Sequence, residues 1–151
     1  MRKATPADVQ VLVRMMAEFY SDSPYILNPQ RATNAFTALL GDDRLGSIWI
    51  IQSKSQDVGY LVLAFCYSMT FGGLAAIVDD FFIQREFRGR GLGKAAMSEL
   101  RSYCAEQGIR ALQVETGHDN EAALAVYRGV GFREKDHIFL ELGLAEPTHA
   151  P

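Results

Sequence analysis

The chain has 151 residues, enough for one domain with a sizeable core, and 48% of them are hydrophobic against 22% charged. That balance excludes the charge-rich, apolar-poor class of disordered chains. Fifteen basic and eighteen acidic side chains leave a net charge of −3, which counts against a dedicated nucleic-acid binder. Along the chain, Thr5 followed by Pro6 and Asp8 reads as a helix start, and Val9, Leu12, Val13 and Met16 recur at helical spacing. Asn28-Pro29 repeats the start signal, and Phe36, Leu39 and Leu40 predict a second helix that ends at Gly41. The polar and aromatic stretch YSDSPYILN between them is a loop that could border a site.

Two strand-like runs follow, SIWIIQ (47–52) and VGYLVLAFCYSM (58–69), separated by the turn-prone SKSQD. TFGG reads as a hairpin turn into LAAIVDDFFIQ (74–84). From Leu92 the period becomes helical, with Leu92, Ala96, Leu100 and Tyr103 on one face and Gly108 as the stop. ALQVET (111–116) is a strand, NEAALAVYRGV (120–130) a short helix and HIFLEL (137–142) a last strand. The order is β-α-α-β-β-β-α-β-α-β, with residues 1–144 as a single domain and 145–151 as a flexible tail. Leu74 to Thr116 forms strand, crossover helix, strand, and predicts a right-handed parallel pair. The earlier strands predict antiparallel pairing, hence a mixed α/β sheet.

No apolar run is long enough to span a bilayer, and the N-terminal MRKATPADVQ lacks a signal peptide's apolar core, so a cytoplasmic protein is expected. Cys66 and Cys104 both lie in apolar segments and read as small buried hydrophobes, not as a disulfide or a nucleophile. His118, His137 and His149 have no metal-ligand spacing, and no metal is expected.

The stretch REFRGRGLGKAAM, where a strand passes through three glycines into a helix, suggests an anion site, the alternative being a turn that only connects strand to helix. A Walker A loop fails because Arg88 and Ala95 stand where glycine and Ser or Thr are needed. The dinucleotide fingerprint fails at Lys94. The spacing R/Q-x-x-G-x-G/A fits Arg88-Gly89-Arg90-Gly91-Leu92-Gly93. Its glycines admit a pyrophosphate to the unpaired N–H groups and positive end of the helix, and Lys94 and the arginines add counter-charge.

This segment, within VDDFFIQREFRGRGLGKAAM, and the segment QVETGHDNEAALAVYRGVGF together resemble the GNAT superfamily of acyl-CoA-dependent N-acetyltransferases. The resemblance extends over nearly the whole chain in element order. It implies a GNAT fold, a mostly antiparallel sheet with a central splayed parallel pair between helices, and acetyl-CoA as co-substrate. It implies that backbone groups near Phe82 and Ile83 pair with the pantetheine arm, that the amides of Gly89 to Lys94 hold the pyrophosphate, and that Asn120 helps hold the arm. It further implies that the Tyr127 phenol protonates the leaving thiolate. Without the resemblance, a tyrosine packed beside Leu124 would be the default.

Asp79, Asp80 and Glu115 are candidates for binding or deprotonating the acceptor amine; strand alternation puts the two aspartates on opposite faces. The resemblance favours Asp80, with Glu115 sharing the work from the adjacent strand, while ion pairing with Arg110, Arg85 or Lys94 is the competing reading. Asp22, Asp80 and Glu115 point to a cationic small-molecule amine. Polyamine, amino acid, aminoglycoside and protein lysine or N-terminus remain open. A non-catalytic coenzyme A or nucleic-acid module using Arg85, Arg88, Arg90, Lys94 and Arg101 is the alternative from another class. One strand after Phe132, where many relatives have a hairpin, leaves room for a neighbouring subunit to complete the wall in a homodimer.

Overall fold

The computed structural model describes residues 1–21, 26–136, 138, 140 and 142–144. Its elements are β1 (Arg2–Lys3), a 3-10 turn (Pro6–Asp8), α1 (Val9–Tyr20), α2 (Pro29–Gly41), β2 (Gly46–Ser53), β3 (Gln56–Ser68), β4 (Gly73–Ile83), a second 3-10 turn (Arg85–Phe87), α3 (Leu92–Glu106), β5 (Ala111–Val114) and α4 (Glu121–Gly129). The five strands form one sheet in the order β1-β2-β3-β4-β5, antiparallel except for the parallel β4–β5 pair.

Local chemistry explains the boundaries. The backbone N–H and hydroxyl of Thr5 both donate to the Asp8 carboxylate, at 2.8 and 2.9 Å, closing the turn that leads into α1. Asn28 Oδ1 accepts from the Arg31 N–H at 3.0 Å and caps α2, as its sequence predicts. The β2–β3 turn is tighter than SKSQD suggests: Ser53 pairs with Gln56, so only Lys54 and Ser55 form the loop, both with positive φ.

Alternation along β3 divides the core. Tyr60 and Val62 face α1 and α2, in a cluster with Leu12, Met15, Phe36, Ile48, Ile50 and Phe82. Leu61 and Leu63 face α3 and α4, with Ala76, Val78, Met97, Leu100, Cys104, Tyr127 and Val130. At Gly59 the strands approach so closely that an added Cβ would stand 2.3 Å from the Phe82 carbonyl oxygen, so only glycine fits there without moving β4.

Three expectations are corrected. Cys66 is exposed, near the β3–β4 turn where Tyr67, Met69 and Phe71 are exposed as well; only Cys104 is buried. The strand predicted over 111–116 stops at Val114, where its pairing with β4 ends. In the predicted strand 137–142, Ile138, Leu140 and Leu142 are irregular and exposed, and His137, Phe139 and Glu141 lie outside the described residues. Outside them too lie Asp22 of the loop YSDSPYILN, His149 and the tail 145–151. No described helix is long and apolar enough to cross a membrane.

Candidate active site

The sheet opens beside β5. β4 pairs with β5 from Ala75–Ala111 to Val78–Val114, then continues to Ile83 with β3 as its only strand partner among the described residues. The unpaired flank of β4 therefore begins, among the described residues, where the parallel pairing ends. Its start coincides with a β-bulge: Leu63 pairs with Val78 and Val62 with Asp80, so Asp79 has no residue opposite it. The extra residue breaks the alternation on which the sequence reading relied. Val78 belongs to the core under α3, whereas Asp80, two residues on, hydrogen-bonds on the α1–α2 side with Tyr60. Asp79 is exposed.

At the open end of β4 three elements converge. A Cβ added at Gly93, in the first turn of α3, would contact Val126 of α4 at 3.4 Å, Phe81 of β4 at 3.6 Å and Ile83 at 3.8 Å. The absence of a side chain there lets the N-terminus of α3 sit against both neighbours. Gly89 and Gly91 have φ of +73° and +78°, and nothing lies within 4 Å of a Cβ on either, so the turn is open on that side. The first bond within α3 runs from the Ala95 N–H to the Gly91 carbonyl at 3.0 Å. The N–H groups of Leu92, Gly93 and Lys94 consequently have no intrahelical acceptor, and the helix dipole places a partial positive charge beside them.

The two arginines of the turn are engaged with the protein itself. Arg88 donates from Nε to the Ile83 carbonyl at 2.7 Å, and Arg90 from Nη2 to the Glu86 carbonyl at 2.8 Å. Their guanidinium groups lie over Phe82 and Phe87, at 5.6 and 5.3 Å. Asn120 also has a local partner: its Oδ1 accepts from the Ala123 N–H at 3.1 Å and caps α4.

Tyr127 is 6% exposed, with its ring 6.3 Å from Phe81 and 5.6 Å from Phe132. Burial pushes its phenol up to about 12, so it holds its proton throughout the neutral range. Asp80 is the electrostatically distinctive carboxylate. Burial raises it to about 6; the Tyr60 hydroxyl, 2.9 Å from Oδ2, pulls against that shift, and neighbouring Asp79 adds to it. Glu115 is exposed just beyond β5 and makes no hydrogen bond or ion pair with another described residue. The structure thus joins the glycine turn, Phe81–Ile83 and the α4 residues, and links Asp80 to Tyr60 instead of to Glu115.

Tyr60 escaped the sequence reading because a lone tyrosine in VGYLVLAF looks like any core aromatic. The signal that would have found it is the hairpin register, which places residue 60 opposite 82. Burial pushes the Cys104 thiol up to about 11, keeping it protonated and a poor nucleophile. Among the described residues no three His, Cys, Asp or Glu gather to hold a metal ion. A cavity of about 240 Å³ lined by Lys3, Asp43, Gly46, Phe65, Leu74, Tyr103 and Gln107 lies at the C-terminal end of α3, away from these groups.

Comparison with known proteins agrees with this fold. The model of the Acetyltransferase (GNAT) family matches residues 12–132. An integron cassette protein from the mobile metagenome of Cole Harbour Salt Marsh is 44% identical and superposes with a TM-score of 0.88 over 99% of this chain and 93% of its own. A predicted acetyltransferase of Clostridium acetobutylicum, solved with acetyl-CoA, shares the fold at a TM-score of 0.78 and 24% identity, over 98% of this chain and 97% of its own. The aminoglycoside N(6')-acetyltransferase type 1 of Stenotrophomonas maltophilia is 21% identical over 140 residues, 91% of this chain and 88% of that protein. Three further relatives are matched over a smaller share: the chain covers 28%, 43% and 44% of their lengths.

Proposed function

Because the chain belongs to the GNAT acetyltransferase family, we propose that it transfers the acetyl group of acetyl-CoA directly to a primary amine of a small, cationic molecule. The observation that carries this reading is the opening of β4 from β5 beyond Val78, with the glycine turn and Tyr127 arranged around it. The open side of the turn, the free N–H groups of Leu92, Gly93 and Lys94, and the unpaired flank of β4 at Phe82 and Ile83 fit a pyrophosphate and its pantetheine arm. Gly89 to Lys94 would hold the phosphates, while Asn120, already engaged at its Oδ1, would offer its amide N–H groups to the arm. When bound, acetyl-CoA supplies an activated thioester.

The protein's share of the chemistry is proton handling and charge. An alkylammonium, with a pKa near 10.4, must lose a proton before it can attack. Asp80, at about 6, is roughly a hundredfold stronger as a base than an ordinary carboxylate, yet ionised at neutral pH. Its charge also attracts a cationic acceptor, with exposed Glu115 adding to the field. A backbone N–H near Phe82 or Ile83 would steady the carbonyl oxygen as charge grows on it. Tyr127, protonated and half-enclosed by Phe81 and Phe132, would give its proton to the departing sulfur.

The small-molecule acceptor draws support from the aminoglycoside acetyltransferase among the relatives. The reading takes residues 1–144 as one transferase domain acting in the cytoplasm without a metal. It also includes a homodimer, supported by the row Ile138, Leu140, Leu142 and Leu144, which stand 82–91% exposed. The deciding experiment follows thiol release from acetyl-CoA against polyamines, amino acids, aminoglycosides and peptides. Amine-dependent release greatest with small cations is the expected result. Acetyl-CoA binding with no release for any amine would make the protein a binding module instead.

A further inference from the structure

Tyr60 is a core residue with a polar end that the core does not need. Its ring is 0% exposed among Ile50, Val62, Phe36 and Phe82, and phenylalanine would fill the same space. Enclosing a hydroxyl there carries a desolvation cost unless it is hydrogen-bonded. Its partner is Asp80, whose Oδ2 accepts the phenolic proton at 2.9 Å, while Asp80 Oδ1 receives no protein donor among the described residues. Replacing such a buried pair with apolar side chains is commonly neutral or stabilising, so the fold alone does not account for it.

We infer that Tyr60 is a positioning residue: its hydroxyl fixes one oxygen of Asp80 so that the other faces the acceptor ammonium and takes its proton. The inference rests on the proposed role of Asp80 as the base. In the step, one N–H bond of the ammonium breaks and one O–H bond forms at Oδ1; the proton then passes to solvent. The groups that bear on the pair are Asp79 from β4 and Tyr20 from α1. Asp79 acts on Asp80 through its charge and Tyr20 bears on Tyr60, while among the described residues only the Tyr60 hydroxyl donates a hydrogen bond to Asp80. Since that bond favours the ionised carboxylate, losing it moves Asp80 toward the protonated form.

The test is Tyr60→Phe, with two separate measurements on the full chain. Carbon-13 NMR follows the titration of the Asp80 carboxyl, and kcat/KM against pH is recorded for an amine shown to be acetylated. Titration and acidic limb should both move to higher pH by about one unit. Repeating the substitution in Asp80→Asn should leave the pH profile as it is in that single variant. An unmoved Asp80 titration in folded Tyr60→Phe overturns the inference. If the carboxyl titration moves but the acidic limb does not, Asp80 is not the base; the positioning role falls with it although the hydrogen bond is real. Should Tyr60→Phe fail to fold, 3-fluorotyrosine at position 60 keeps the ring and strengthens the donor. Both readings should then move to lower pH, and no movement is again fatal.

Discussion

Arg88 Nε donates to the Ile83 carbonyl oxygen at 2.7 Å, tying the first residue of the glycine motif back to the last residue of β4. The guanidinium covers the Phe82 ring in the same conformation, so one side chain fixes the angle between strand and turn. Arg88→Met keeps the length and removes the donor. Affinity for acetyl-CoA should fall about tenfold, or about 1.4 kcal/mol, by titration calorimetry. Equal affinity would mean that the turn holds its shape without this tie.

Gly91 separates backbone strain from charge. With φ at +78° and open space around an added methyl group, Gly91→Ala should cost about 1 kcal/mol of stability through the left-handed backbone alone. Gly91→Asp carries the same strain and adds a carboxylate facing the proposed pyrophosphate position. Thermal melts should therefore rank the two variants close together, and calorimetry should show acetyl-CoA binding lost only in the aspartate variant. Similar affinities in the two would remove the anion from this turn.

For Tyr127, the substitution to Phe keeps the contacts with Phe81 and Phe132 and deletes the acid. Turnover should fall by about 10²–10⁴ where chemistry limits the rate, with little change in cofactor affinity. A wild-type rate under those conditions would leave Tyr127 as packing only.

Asp80 ties activity and stability to pH in opposite directions. Its folded value of about 6 lies above the ordinary 3.8, so the native state holds a proton that the unfolded chain has already released. Its contribution to stability is full below about 3.8 and is lost as pH rises through about 6. Activity, which needs the ionised form, rises across that same interval. Asp80→Asn should flatten both, raise KM for cationic amines and leave the affinity for acetyl-CoA unchanged. Asp8, held low by Arg2, contributes in the reverse sense: its share is present above the ordinary carboxylate range and is lost on acidification. Denaturant unfolding from about pH 2 to about pH 8, which spans both carboxyl groups, and a kcat/KM profile check these signs.

The exposed row at the C-terminal end gives a fifth test. Leu140→Lys together with Leu142→Lys places charge within it without touching the buried core. Sedimentation velocity should show a dimer for the wild type and a monomer for the variant. A wild-type monomer at all concentrations would refute the dimer.

Much of this architecture was legible from local chemistry. Thr5–Asp8, Asn28 and the glycines at 89 and 91 act on their own neighbours, so their residue types announce their geometry. The helical periods of Leu12, Phe36 and Leu100 likewise reflect one buried face each. What escaped was non-local. An unpaired Asp79 looks like any other strand residue, because a bulge is defined by the partner strand. The Tyr60–Asp80 bond depends on a register twenty residues apart along the chain. Cys66 shares the apolar character of its run, but its exposure follows from its place near the β3–β4 turn, beside exposed Tyr67 and Met69.

The unpaired Asp79 acts as a half-period spacer within a single strand. N-terminal to it, β4 is locked between two neighbours; C-terminal to it, the same strand presents the opposite set of side chains and, among the described residues, keeps only one neighbour. Substitutions can alter the chemistry on either side, but none can exchange the two phases. Loss of that one residue would rotate the Asp80 carboxylate out of reach of Tyr60 and drive it toward the apolar layer under α3. The spacing of the reactive groups is therefore held by residue count, and the strand is open to change of side chains but closed to change of length.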